Sequence, residues 1–180
     1  YKSEVMLIYN KKLSVVPLTT HIKIKDVSKS LKKDIIVNKL KTLDKNYRKY
    51  FKKKPKIAIL GLNPHNFEFK KNSEEVKIIK PIVNNLSKKI NISGPYSADT
   101  IFFYDNLKKY DVIVGMYHDQ VLTPFKALFG FDAINITLGL PYIRMSPDHG
   151  IAEDKKKLNK ANPQSLNSCI KIISKLIKWS

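Results

Sequence analysis

The 180-residue chain is poor in several things, and each shortage excludes something. It has one cysteine, Cys169, so no internal disulfide can form, and a lone thiol set among Ile170, Ile172 and Ile173 is expected in a core, in keeping with a reducing cytoplasm. No apolar run approaches the roughly 20 residues that span a bilayer, so no membrane partner is expected. No signal peptide is visible, and the first residue is Tyr1, so the natural start is expected upstream. Arginine occurs only at Arg48 and Arg144. The net charge of +19 therefore rests on lysine, whereas readers of DNA and RNA lean on arginine for bidentate contacts. The lysines are scattered, with short runs at 32–33, 52–54 and 155–157, and Lys, Asn and Ile are abundant together, as AT-rich coding would also produce. A solvated basic face is the expectation, and a lysine-rich nucleic-acid binder is the remote alternative. Hydrophobic residues at 43% indicate a folded chain, and its length suits one domain.

The pattern alternates strands and helices. Val5–Ile8 and Val15–Leu18 read as strands, Lys56–Leu60 and Asp111–Met116 as buried strands, and Ala133–Leu138 as a further one. Asp26 is expected to cap a helix to about Leu31, and Asp34 to start one with Ile35, Leu40 and Leu43 on its apolar face, ending before Pro55. Ser73–Glu75 opens another, which Pro81 is expected to bend or split. Residues 91–95 read as a strand end and turn, 98–107 as helix, and Ser165 as the cap of a last helix to about Ile177. The whole chain is expected to be one α/β region with covered sheet faces.

Chemistry-bearing residues gather after the strands. His21, His65 and His118 each follow an apolar strand, and ligands of open α/β sheets collect at the carboxyl ends of strands. Three imidazoles around a divalent ion is a known catalytic arrangement. Spacings of 44 and 53 residues match no short metal signature, so the residues alone favour three unrelated loop histidines over a shared site. Lys126, Asn135 and Arg144 lie nine residues apart around a strand and could hold a phosphate and a carboxylate, with Arg giving a bidentate grip, although a lysine such as Lys126 is more often simply solvated. Asp99 and Asp119 could orient ligands or shuttle protons, and Asp99 could instead cap a helix. His149 lies in Ser146-Pro147-Asp148-His149-Gly150, which also suits a tight turn.

In this order, the strings Leu18-Thr19-Thr20-His21, Gly61-Leu62-Asn63-Pro64-His65, Gly94-Pro95-Tyr96-Ser97-Ala98-Asp99-Thr100, Met116-Tyr117-His118-Asp119-Gln120, Thr137-Leu138-Gly139-Leu140-Pro141 and Ser146–Gly150 resemble the 4-hydroxythreonine-4-phosphate dehydrogenase (PdxA) family of vitamin B6 biosynthesis. The resemblance runs from about Glu4 to the end. It implies the isocitrate/isopropylmalate dehydrogenase-like three-layer α/β/α fold, here partial and equivalent to the C-terminal half of a chain nearly twice as long. It implies His21, His65 and His118 as ligands of one divalent ion (zinc, magnesium or cobalt), Lys126, Asn135 and Arg144 on a small phosphorylated substrate, and Asp99 and Asp119 in the active-site shell. Related dehydrogenases bind NAD through a His-Gly loop and a downstream Asn, which here resemble His149, Gly150 and Asn162. The implied reaction is NAD- or NADP-dependent oxidation and decarboxylation of 4-phosphohydroxy-L-threonine to 3-amino-2-oxopropyl phosphate, in a cytoplasmic homodimer whose active site lies at the interface. A paralogue acting on another four-carbon sugar-acid phosphate, or an inactive fragment that holds metal or phosphate, are the alternatives.

Two stretches depart from that pattern. Where the family carries glycines after Asn-Pro-His, this chain reads Asn66-Phe67-Glu68-Phe69-Lys70-Lys71-Asn72. Glycine permits positive φ, so a differently built loop is expected. After Gly150 the chain reads Ile151-Ala152-Glu153-Asp154 and three lysines in place of an Asp-Ile-Ala-Gly-like segment, which bears on cofactor binding.

Overall fold

The computed structural model describes residues 3–130, 132–148 and 163–177. A seven-stranded mixed sheet has the order β4-β3-β5-β2-β1-β6-β7. Its strands are β1 (Val5–Tyr9), β2 (Ser14–Pro17), β3 (Ile57–Leu60), β4 (Ile92–Tyr96), β5 (Val112–Gly115), β6 (Ile134–Leu138) and β7 (Arg144–Pro147). β2, β5, β3 and β4 run parallel to one another. β1 is antiparallel to β2 and to β6, and β7 is antiparallel to β6.

The expected α/β sheet with covered faces is present, because alternate residues of the central strands feed two cores. On β5, Val112 and Val114 enter one core with Ile36, Leu40, Leu43 and Tyr47 of α2 (Lys33–Phe51), with Ile82, Val83 and Leu86 of α3 (Lys80–Leu86), and with Cys169 of α6 (Gln164–Ile177). Ile113 enters the other core, with Val121, Leu122 and Phe125 of α5 (His118–Phe129). Burying each such side chain contributes about 1.5–3 kcal/mol. Cys169 is a core thiol, and burial pushes its pKa up. Among the described residues no helix is long and apolar enough to cross a membrane.

Several local expectations need correction. The helix after Asp26 is one turn, α1 (Val27–Ser30), and Asp26 makes no side-chain cap. In α2 the buried face uses Ile36, with Leu40, Leu43, Tyr47 and Tyr50, rather than Ile35, because burial follows the 3.6-residue repeat from the later residues. Ser73 does open its helix: its hydroxyl accepts the Val76 N–H at 3.3 Å. That helix begins as a wide π turn over Glu75–Ile79, in which Lys80 N–H reaches Glu75 C=O, and becomes α-helical at Lys80. Pro81 has no N–H to give the turn before it, which fits the change of pitch at that point. Residues 92–96 form a full edge strand. The expected helix over 98–107 is turns as far as Phe103 and a short α4 (Tyr104–Leu107), so Asp99 caps nothing. Ser165 lies inside the first turn of α6; its hydroxyl donates to Ala133 C=O and accepts Asp148 N–H at 3.0 Å, which docks the helix rather than capping it. β7 and α5 had no forecast in the sequence pattern.

The glycine-poor loop keeps an unusual path. His65, Asn66, Phe67, Glu68 and Phe69 all have φ between 48° and 54°, a left-handed turn built from L residues. Asn66 is the member best suited to it. Its buried carboxamide donates from Nδ2 to Pro95 C=O at 3.3 Å and lies where a Cβ on Gly61 would come within 2.0 Å of its Oδ1. The left-handed run and the glycine at 61 are therefore two parts of one packing arrangement.

Candidate active site

The carboxyl ends of β3, β5 and β2 lie side by side at one end of the strands, and each leads to a histidine. His21 follows β2, His118 opens α5 directly after β5, and His65 follows β3. The His21 and His118 rings are 5.6 Å apart between centroids and inclined at 44°. Two imidazoles bound through nitrogen to one tetrahedral zinc-like ion would have centroids about 5 Å apart, so this pair fits a shared cation. His118 Nδ1 lies 2.6 Å from Asp119 Oδ1. A carboxylate only accepts, so Nδ1 carries the hydrogen, and in the neutral ring that leaves the Nε2 lone pair for a ligand, the usual service of a carboxylate behind a metal-binding histidine. Among the described residues, no three His, Cys, Asp or Glu side chains converge into an ion-holding group. His65 instead lines an adjoining cavity of about 300 Å³ with Asp99, Asn63, Tyr117 and Gln120.

The loops that carry these histidines are firmly tied. Thr19 N–H and its hydroxyl both donate to Met116 C=O, at 3.1 and 2.7 Å, which joins the His21 segment to the His118 segment. The half-buried Lys39 ammonium donates to Leu18 C=O at 2.7 Å, and burial pulls its pKa down while Glu4 opposes the shift. Glu75 has no solvent exposure and accepts from Leu62 and Asn63 N–H, both at 2.8 Å, and from Asn63 Nδ2. Glu74 accepts from the Ser28 hydroxyl and from Asn63 Nδ2 at 2.9 Å. The Ser28 bond is the main reason the Glu74 carboxyl titrates below the ordinary range, with Asn63 assisting against partial burial.

The three residues expected on a substrate form a second cluster. Asn135 and Arg144 lie on β6 and β7, and Lys126 on α5, on the side of the sheet that α5 occupies. Arg144 Nη1 donates to Thr137 Oγ1 at 2.8 Å and is otherwise exposed. Lys126 Nζ stands 3.5 Å from Asp148 Oδ2, a buried carboxylate whose N–H is held by Ser165. The buried Asn135 Oδ1 has no hydrogen-bond partner. Arg48, the other arginine, is committed to Asp44 within α2 at 2.9 Å. His149, Gly150, Asn162 and the lysine run near 155 lie outside the described residues.

Sequence reasoning gave no role to Glu75, Gln120 or Asp148. The adjacent acids 74–75 and the run Tyr117–Gln120 were visible signals, but a polar side chain turned inward looks in sequence like one turned outward.

Comparison with known proteins identifies the family and the fold. The sequence profile described as pyridoxal phosphate biosynthetic protein PdxA matches residues 1–173. A 4-hydroxythreonine-4-phosphate dehydrogenase of Aquifex aeolicus is 43% identical over 178 residues, which is 98% of this chain and 55% of that protein. A D-threonate 4-phosphate dehydrogenase of Pectobacterium atrosepticum is 37% identical over 175 residues, 95% of this chain and 53% of that one. The 4-hydroxythreonine-4-phosphate dehydrogenase structure from Klebsiella pneumoniae superposes with a TM-score of 0.81 at 35% identity, covering 97% of this chain and 54% of that chain. The chain thus spans about half the length of the relatives it matches. The chain belongs to the PdxA family.

Proposed function

We propose that this chain is the C-terminal half of a metal- and NAD(P)-dependent dehydrogenase that oxidises the hydroxyl of a small phosphorylated hydroxy acid, with 4-phosphohydroxy-L-threonine as substrate and loss of CO2 after oxidation. The observation that carries the reading is the arrival of three histidines at the ends of three adjacent parallel strands, two of them at the spacing of a shared cation. His21 and His118 would hold the ion and His65 would complete it; when bound, a divalent cation lowers the pKa of a hydroxyl it touches and stabilises enolate charge. Asp119 holds the His118 tautomer. Asp99 lines the cavity with His65 and would accept the hydroxyl proton, and NAD(P), when bound, would supply the hydride acceptor. Arg144 and Lys126 grip phosphate and carboxylate, and Asn135 Oδ1 accepts from a substrate amino or hydroxyl group. His149, Gly150 and Asn162 are assigned to the dinucleotide.

The enzyme is a homodimer in this reading, as the family resemblance implies, with a second copy completing the active site at the interface. The single core thiol suits a cytoplasmic setting. A four-carbon acid without the amino group, such as D-threonate 4-phosphate, is the second reading, since a relative carries that name and the reacting hydroxyl and phosphate are common to both.

Metal analysis of the purified chain tests the core of this reading. A stoichiometric divalent ion, lost in the His21→Ala/His118→Ala double variant, is expected; metal-free wild type after equilibration with zinc refutes it. NADH formation from the two phosphorylated acids, measured on a form of full family length, separates the substrates.

A further inference from the structure

Gln120 uses both ends of its carboxamide. Its Oε1 accepts the Met116 N–H at 2.7 Å, and its Nε2 donates to Gly61 C=O at 2.8 Å. Met116 lies two residues before His118, and Gly61 lies four before His65. The paired register of β3 with β5 ends at Ile59 and Val114, so Gln120 continues the connection beyond the ladder. Gly115 makes room for it: a Cβ there would lie 2.9 Å from Gln120 Oε1 and 2.5 Å from Val121 Cγ1. On the far side of the same loop, Glu75 takes the Leu62 and Asn63 N–H groups, and Gly61 N–H goes to Tyr96 C=O at 3.0 Å.

We infer that Gln120 is a positioning residue that fixes the loop carrying His65 relative to the strand end carrying His118, and so sets where the two imidazoles stand for metal binding. This rests on the metal site proposed above. Only a carboxamide meets the requirement, because one end must accept and the other must donate. Glutamate keeps the acceptor for Met116 but turns an oxygen toward the Gly61 carbonyl. Leucine loses both bonds at similar bulk.

The test compares the 180-residue chain with its Gln120→Glu and Gln120→Leu variants by two readouts. In the metal-free chain, the ring NMR resonances of both His65 and His118 should move in each variant. Cobalt(II) affinity should fall about ten-fold or more, the usual effect of removing support behind metal ligands. Movement confined to His118, or variants that bind cobalt as tightly as a wild type that binds it, overturns the inference. A wild type that binds no cobalt removes the metal reading, and the His65 resonance then decides the positioning role alone. Should Gln120→Leu fail to fold, Gln120→Glu, which retains the Met116 bond, carries the test.

Discussion

Replacing Glu68 by glycine should stabilise this protein, although it removes a charged side chain and touches no core. Glu68 sits in the left-handed turn at φ 50° and ψ 27°. An L residue pays about 1–2 kcal/mol for that conformation. Glycine avoids the clash but loses about 0.5–1 kcal/mol of extra chain entropy on folding. The side chain's visible partner is Lys70 at 3.9 Å, with Glu68 77% and Lys70 58% exposed, a pair that contributes little in water. The net expectation is a gain of about 0.5–1 kcal/mol for Glu68→Gly. Glu68→Ala serves as the control, because it removes the same ion pair and keeps the Cβ that causes the strain. Urea unfolding followed by circular dichroism reads both, and the midpoint should rise for glycine at an unchanged slope. If Glu68→Gly is no more stable than Glu68→Ala, the left-handed turn is not a source of strain and the reasoning fails.

Two further outcomes follow from buried polar contacts. Ser165→Ala should cost about 1–3 kcal/mol, because it leaves Asp148 N–H and Ala133 C=O without the hydroxyl between them; thermal unfolding would show it, and no shift in midpoint would mean that α6 is docked by its apolar face alone. The Glu74 carboxyl titrates below its ordinary value of 4.5, so the folded state binds that proton less readily than the unfolded chain does. Its contribution is present above 4.5 and is lost as pH falls through the lower folded value, so a Glu74→Gln variant should trail the wild type near neutrality and converge with it in acid.

Much of the sheet was legible because buried strands advertise themselves. The runs at Ile57–Leu60 and Val112–Gly115 are apolar on both faces and fully buried, and no other element explains four such residues in a row. The strand-end histidines followed from the strands. What escaped was set by tertiary contacts. β7 reads Arg-Met-Ser-Pro, with no alternation to mark it, and is a strand because β6 pairs with it. The α5 helix has Pro124 inside it and begins in a motif that reads as a loop. Ser165 was read as a cap from its position, yet the Ala133 carbonyl takes its hydroxyl instead. Family resemblance supplied the grouping of His21 with His118, which spacing could not, and gave no warning that the glycine-free loop would take a left-handed path.

The π turn before Pro81 has a consequence for insertions and deletions. A helix turns about 100° per residue, so the phase of every side chain depends on the count of residues behind it. The wide turn over Glu75–Ile79 absorbs residues that a regular helix could not place while keeping both Glu75 and Ile79 buried. Removing one residue there would return the turn to α pitch and swing Glu75 by about 100° relative to Ile82 and Leu86, away from the Leu62 and Asn63 amides. The exposed stretch at 70–72, only a few residues earlier, carries no such phase. Length changes in this region should therefore accumulate before Ser73 and stop at it.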